Sequence, residues 1–323
     1  FLVAFISVLF IQCDEEKKSF LISNTAVGKL SRGMKIKEVD SILARGGKAP
    51  HLAAVIVGED GASLTYVGSK VRTCEQIGFE STLIQLPDTI TENELLTEIE
   101  TLNKNSEVDG FIVQLPLPKH IDSEKILLSI HPDKDVDGFH PANFGKMALD
   151  MPSFIPATPY GIMELLDRYN VPTTGKHTVV IGRSHIVGRP MSILLSRRGE
   201  PGDSTVTLTH SRTQNIEAFT KSADIIVTAL GVPEFLKANM VKEGVVVVDV
   251  GITRVTDDSK PKGYRITGDV DYENVSKKAS FITPVPGGVG PMTIAMLMKN
   301  TLLTLFRSIV LLLGESGVSA YFL

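Results

Sequence analysis

The chain has 323 residues, 43% apolar and 22% charged, with a formal net charge of −4, a globular composition long enough for two domains. Without a long basic run, nucleic-acid binding is not expected. Its two cysteines, Cys13 and Cys74, are too far apart in sequence for a disulfide framework or a zinc site, so no structural metal is expected and a reducing compartment is.

The first stretch, FLVAFISVLFI (1–11), is apolar but shorter than the roughly 20 residues that span a bilayer. No positive charge precedes it, as a signal peptide requires. The chain opens on Phe1 rather than methionine, which reads as a fragment edge or a wrongly called start, with a truncated signal or anchor as the minority reading. No membrane association is expected, and 1–19 are left as an unassigned apolar extension. SRGMKIKEVDSILARGG (31–47) keeps a rough helical face of Ile36, Val39 and Leu43.

From His51 the pattern sharpens. HLAAVIVG (51–58) reads as a buried parallel strand. Residues 63–77 read as a helix with Val67, Val71, Cys74 and Ile77 on one face. On that helix Tyr66 and Lys70 are four apart and lie one above the other; a solvated face is the ordinary reading of such a pair. STLIQL (81–86) is the next strand, and 91–106 a helix with a Thr91/Glu94 capping box. GFIVQLPLP (110–118) is a third strand, stopped by Pro116 and Pro118. Gln114 falls near its C-terminal end, where ligands gather in open α/β sheets. Alternating strands and helices imply a parallel α/β domain.

IHPDKDVDGFHPANFGK (130–146) reads as an ordered loop carrying Asp133, Asp135 and Asp137. Residues 158–170 read as a helix with Thr158 as N-cap and Pro159 in its first turn. A second α/β run follows: strands at 177–182, 204–210, 223–231, 244–252 and 281–286, a helix at 187–199 and a last helix from Met292. RRGEPGDS (197–204) is a surface connection, and TLLTLFRSIVLLLG (301–314) a helix packed on the body, with a loose tail beyond.

VVIGRSHIVGRP (179–190) joins strand to helix, where a Rossmann domain holds a pyrophosphate. The match to G-x-G-x-x-G is imperfect: Gly182 fits the first position, Ser184 stands at the second and Gly188 is one residue late. A plain tight turn would look the same. The following strand ends in His210-Ser211-Arg212 with no acid to bind a ribose hydroxyl, while Arg183 and Arg212 suit a 2′-phosphate, so NADP is preferred over NAD.

Tyr-x-x-x-Lys is also the signature of short-chain dehydrogenases, but there it follows the nucleotide loop within one domain. Here Tyr66 and Lys70 precede Gly182 by more than a hundred residues. That leaves a two-domain enzyme with an amine in one domain and a nucleotide in the other. TPVPGGVGPMT (283–293) is a Pro/Gly loop that lets a ligand approach backbone.

With YVGSK, VQLPLP, DKDVDGFHP, PATPYG, GRSHIVGRP and TPVPGGVGPMT in this order, the chain resembles the bifunctional methylenetetrahydrofolate dehydrogenase/methenyltetrahydrofolate cyclohydrolase family from about Gly47 to Leu305. The resemblance implies two α/β domains flanking a cleft, the second a Rossmann-type NADP-binding domain, in a cytoplasmic homodimer. It puts the folate/catalytic domain at 20–150 with 291–323 and the NADP domain at 151–290. It implies NADP-dependent oxidation of 5,10-methylenetetrahydrofolate, then hydrolysis to 10-formyltetrahydrofolate. Lys70 takes the place of the catalytic lysine, Tyr66 stacks on the folate and positions it, and Gln114, flanked by substrate contacts at Val113 and Leu115, is its hydrogen-bonding partner. Asp137 holds the pteridine. Pro286, Gly287, Gly288, Val289 and Gly290 border the folate. Gly182, Arg183, Ser184 and Ser211 contact NADP, and Ile252 lines the nicotinamide pocket. Burial and positive neighbours are expected to lower the pKa of Lys70 from about 10.4 toward about 7–8. The Asp-Gly strand that opens family members is absent here. A dehydrogenase-only enzyme, a synthetase-linked or NAD-preferring relative and an inactive folate-binding homologue are the alternatives.

Overall fold

The computed structural model describes residues 43–44 and 47–313, with side chains only to residue 305 in the last helix. The expectations for 1–42, Cys13 among them, and for the tail from 314 lie outside the described residues. The chain divides into two compact units: one runs to Ala157 and resumes at Ile294, and the other is Thr158–Thr293.

The first unit is built on β1 (His51–Val57), which is buried along nearly its whole length because strands pair with it on both sides. Helix α1 (Gly61–Ile77) leads to β2 (Glu80–Leu86), and α2 (Glu92–Lys104) to β3 (Gly110–Val113). The sheet order is β2-β1-β3, with both pairings parallel. The first crossover runs to one side of β1 and the second to the other, so the crevice beyond the carboxyl ends of β1 and β3 is a topological switch point. Asp60 caps α1 by accepting the Ser63 N–H at 2.7 Å, and Gly78 at φ 79° ends it. The Thr91/Glu94 capping box of α2 forms as expected, and Leu95, Ile99 and Leu102 bury one face. The buried stripe of α1 differs from expectation: Val67, Lys70, Cys74 and Ile77 are buried and Val71 only half-buried.

The stretch read as one loop at 130–146 ends in a helix. After α3 (Ser123–Ser129), α4 (Pro141–Ala148) begins with Pro at its first position, and the His140 ring accepts the Ala142 N–H at 3.1 Å. Asn and Gly within α4 concealed it. Helix α5 (Ala157–Arg168) starts one residue before Thr158, so that hydroxyl is not a cap; it lies 3.0 Å from the Thr293 hydroxyl.

The second unit holds β4 (His177–Ile181), α6 (Gly188–Ser196), β5 (Thr205–Thr209), α7 (Ile216–Ser222), β6 (Ile225–Thr228) and β7 (Val246–Asp249). A hairpin of β8 (Thr253–Thr256) and β9 (Tyr264–Thr267), then α8 (Tyr272–Val275) and β10 (Phe281–Ile282), complete it. The sheet order is β10-β7-β6-β4-β5, parallel throughout, a Rossmann-type order with its switch point between β4 and β6. The hairpin and α7 were not anticipated, and β10 is two residues rather than the six of FITPVP, whose prolines cannot donate to a ladder. Helix α9 (Val289–Leu313) begins three residues before Met292 and passes from the second unit into the first at Ile294.

Candidate functional site

Lysine is an unusual residue for a core stripe, and Lys70 is only 3% exposed. Its helical spacing from Val67 and Cys74 sends it inward with them. Nζ donates to Gln114 Oε1 at 3.2 Å, and the Tyr66 ring one turn earlier presents its face at 4.7 Å from Nζ to the centroid. Gln114 stands just past β3, its N–H bonded to the Val55 carbonyl at 2.8 Å, which extends the ladder by one step. Its amide also donates to the Leu115 carbonyl at 2.8 Å, so Oε1 is turned toward the amine. The residue both satisfies backbone and holds Lys70.

Burial pushes the Lys70 pKa down, and the charge opposing that shift is Asp137. The expected positive neighbours are therefore replaced by a carboxylate, which favours the ammonium. Asp137 answers in kind: burial pushes its pKa up and Lys70 draws it down. Burial disfavours the ionised form of each group, and each group's charge moderates the other's shift.

Asp137 is aimed by its own loop. Asp135, 2% exposed, accepts the Phe139 N–H at 3.2 Å, the His140 N–H at 2.8 Å and the Asn143 amide at 3.0 Å. Gly138 has φ +73°, and a Cβ there would lie 2.7 Å from Pro156 N, so a side chain is excluded. Asn300 donates to the Val136 carbonyl at 2.8 Å. Asp133, by contrast, is exposed. Of the three aspartates, one interacts through its charge with the lysine, one caps the turn that carries it and one faces solvent. Cys74 packs its thiol 3.5 Å from Met298 Sδ, and burial pushes its pKa up to about 12, which makes it a core residue rather than a nucleophile.

In the second unit the turn after β4 is sterically committed. Gly182 has φ +117°, and a Cβ on it would lie 2.2 Å from the Ala229 carbonyl oxygen. A Cβ on Gly188 would lie 2.0 Å from Gly182 O. Ser184 Oγ accepts the Val187 N–H at 3.1 Å and the Gly188 N–H at 3.4 Å. This turn absorbs the extra residue that spoils the glycine spacing and starts α6 at Gly188. Arg183, exposed, and Ser211 and Arg212, also exposed, follow the carboxyl ends of β4 and β5. Ile252 follows β7 and is 62% exposed. The turn is a backbone cradle fit for a pyrophosphate, and no acid follows β5.

Pro286 is exposed, Gly287 has φ +106°, and Gly288 lies where a Cβ would be 2.5 Å from Pro284 O. Val289 and Gly290 form the first turn of α9 rather than a loop, and Val289 is buried at 4% exposure. Val113 is buried and Leu115 half-buried. Among the described residues, no group of three or more His, Cys, Asp or Glu could hold a metal ion.

Two aspartates escaped the sequence reading. Asp249 closes β7 and Asp269 follows β9, 3% and 0% exposed. The available signal was an acid ending a run of buried valines and followed by glycine, in VVVVDVG.

Residues 22–137 match the tetrahydrofolate dehydrogenase/cyclohydrolase catalytic domain, and 156–308 the NAD(P)-binding domain of the same family. The chain is 77% identical over 266 residues to a bifunctional protein FolD of Flavobacterium johnsoniae, covering 82% of this chain and 90% of that one. Identity to the Bacteroides fragilis FolD is 56% over 283 residues, 88% and 97% of the two chains. The FolD methylenetetrahydrofolate dehydrogenase/cyclohydrolase of Campylobacter jejuni superposes with a TM-score of 0.82 at 45% identity, covering 90% of this chain and 99% of that one. The Trypanosoma brucei methylenetetrahydrofolate dehydrogenase-cyclohydrolase, solved with NADP cofactor and inhibitor, gives 0.85 at 38% identity, covering 90% and 98%.

Proposed function

The chain belongs to the tetrahydrofolate dehydrogenase/cyclohydrolase family, and from that premise we infer what its residues do. It oxidises 5,10-methylenetetrahydrofolate to 5,10-methenyltetrahydrofolate with NADP⁺, then hydrolyses the product to 10-formyltetrahydrofolate. The observation that carries the site assignment is the amine of Lys70, 3% exposed and bonded to Gln114 Oε1 at 3.2 Å.

Lys70 is the shared acid/base. Ring opening needs a proton taken from water as it adds to the methenyl carbon, and a proton returned to the departing nitrogen. An amine whose pKa burial has lowered can do both near neutral pH. Gln114 Oε1 orients Nζ, and the Tyr66 ring holds its other side while stacking on the aromatic part of the folate. Asp137 binds the pteridine and keeps the lysine from losing its proton outright. Val113 and Leu115 flank the substrate beside Gln114, and the 286–290 segment borders it.

The second unit carries the nucleotide. Gly182 and Ser184 admit the pyrophosphate to the turn, since any Cβ at 182 would collide with backbone. Arg183 and Ser211 hold the 2′-phosphate, and Ile252 packs on the nicotinamide. NADP⁺, when bound, accepts the hydride of the methylene carbon. We assign 20–150 with 291–323 to folate and catalysis, and 151–290 to NADP. A homodimer in the cytoplasm completes the proposal; among the described residues no helix is long and apolar enough to cross a membrane. Sedimentation of the purified chain checks the dimer.

The test of the function is a spectrophotometric assay with methylenetetrahydrofolate and either NADP⁺ or NAD⁺, with acid quenching to reveal the methenyl product, and a separate assay of methenyl hydrolysis. Product with NADP⁺ together with hydrolysis is expected. A folded chain inactive in both assays overturns the assignment.

A further inference from the structure

Asp249 and Asp269 are buried carboxylates far in sequence from Lys70 and outside every role given above. Asp249 Oδ1 accepts from the Thr228 hydroxyl at 3.1 Å, the Gly251 N–H at 3.0 Å and the Asp269 N–H at 3.0 Å; Oδ2 accepts the Val270 N–H at 3.0 Å. Asp269 Oδ2 accepts the Leu230 N–H at 2.6 Å and the Gly231 N–H at 3.1 Å, and Oδ1 the Val232 N–H at 2.8 Å. Neither forms an ion pair among the described residues. Two carboxylates are thus buried on backbone N–H groups and one threonine hydroxyl, a costly arrangement without a cation.

What that arrangement secures is position. The donors come from three separate segments: 228–232 from the last residue of β6 onward, 250–252 after β7 and 268–270 after β9. The first two leave the carboxyl ends of adjacent strands, the end of the sheet where Gly182 abuts Ala229. Even the glycines are shaped to the carboxylates. A Cβ on Gly251 would lie 2.3 Å from Asp269 Oδ1, and one on Gly268 would lie 1.9 Å from Asp249 Oδ2. Immediately beyond Gly251 stands Ile252, a large apolar side chain 62% exposed on a segment pinned from beneath.

We infer that Asp249 and Asp269 are positioning residues for the dehydrogenase step, fixing the 230–232 and 250–252 segments so that Ile252 sets the nicotinamide end of NADP⁺. This rests on the functional reading above and extends it to two residues that do not touch the reacting atoms. Their work is orientation, and a misplacement of about 1 Å at a reacting centre can cost about 10²-fold in rate.

The experiment replaces one carboxylate oxygen by an amide nitrogen. In Asp269→Asn one backbone N–H meets an N–H₂ group instead of an acceptor. Dehydrogenase kcat should fall about tenfold to hundredfold with KM for NADP⁺ changed less than about threefold, because the phosphates keep their cradle. Cyclohydrolase turnover in the same preparation should stay within about twofold, since Lys70 and Asp137 belong to the other unit. Thr228→Val, which removes only the hydroxyl donor to Asp249, should lower the same kcat less and serves if Asp269→Asn fails to fold. Saturation-transfer NMR gives a readout independent of turnover: transfer from protein methyls to nicotinamide protons should weaken in Asp269→Asn while transfer to adenine protons persists. That pattern would support the positioning role even in a chain inactive as a dehydrogenase. The inference is overturned if both activities fall together in a folded variant, if neither activity moves, or if the wild-type chain binds no NADP⁺.

Discussion

A primary amine with its ordinary pKa near 10.4 holds its proton at neutral pH and is a poor base. The helix solves this by placing Lys70 where a hydrophobic residue belongs, and burial lowers its pKa. Lys70→Met keeps the apolar stem in that stripe and removes Nζ. Cyclohydrolase turnover should fall at least about 10²-fold, the low end of general acid–base contributions, with an unchanged far-UV spectrum; wild-type hydrolysis in this variant would exclude Lys70 as the acid/base. The same change removes the cation that draws Asp137 down, so the Asp137 carboxyl should titrate higher still, as NMR would show. The converse also holds. Asp137 raises the Lys70 pKa, so Asp137→Asn should move the Lys70 titration to lower pH, seen in its Cε and Nζ resonances. Sequence alone placed Tyr66 and Lys70 on one face, because helical spacing is periodic. It could not show that the face was the buried one, nor that the nearest charge was negative, since both depend on what packs against the helix.

At the scale of elements, the β4–α6 turn shows why a glycine fingerprint is a weak reader. Gly188 sits one residue late because Ser184 Oγ ties the Val187 and Gly188 N–H groups into the turn. Spacing cannot reveal a side chain doing what the template assigns to backbone. Gly188→Ala would put a Cβ 2.0 Å from the Gly182 carbonyl oxygen. NADP⁺ affinity should therefore drop by calorimetry, with hydrolysis of methenyl substrate retained. Arg183→Ala should narrow the preference for NADP⁺ over NAD⁺ by about tenfold or more in kcat/KM, the loss of one charge-assisted phosphate contact; an unchanged ratio would move the 2′-phosphate elsewhere. Central strands β1, β4, β6 and β7 were legible as apolar runs because both faces are covered. The helix at 141 was not, because its cap is a histidine rather than serine or aspartate, and its interior carries Asn and Gly. The 253–267 hairpin was missed for a related reason: its strands alternate over only four residues each.

Across the whole molecule, the buried carboxylates set how stability follows pH. Asp135 and Asp249, one in each unit, are pushed by burial up to about 6 from an ordinary 3.8. Between those two values the native chain holds protons that the unfolded chain has released. Stability from these groups is therefore fully present below the unfolded pKa and lost as pH rises through about 6. Glu200 works the other way: hydroxyls and N–H groups of Thr173 and Thr174 hold its carboxylate at about 2. Its contribution is present above its unfolded value near 4.5 and lost as pH falls toward about 2. His140, whose pKa burial lowers, adds stability as pH rises toward its unfolded 6.5, so the wild-type slope is a balance. The difference between variants isolates the carboxylates. In Asp135→Asn and Asp249→Asn the melting temperature starts lower, because an acceptor is lost, but its dependence on pH between about 4 and about 6 should shift upward relative to wild type, toward a rise with pH. Melting curves at half-unit steps read that slope, and two transitions would show which unit each aspartate governs. A wild-type slope preserved in both variants would mean that these carboxyls titrate normally despite their burial. The backbone donors around Asp249 would then compensate fully for the loss of water.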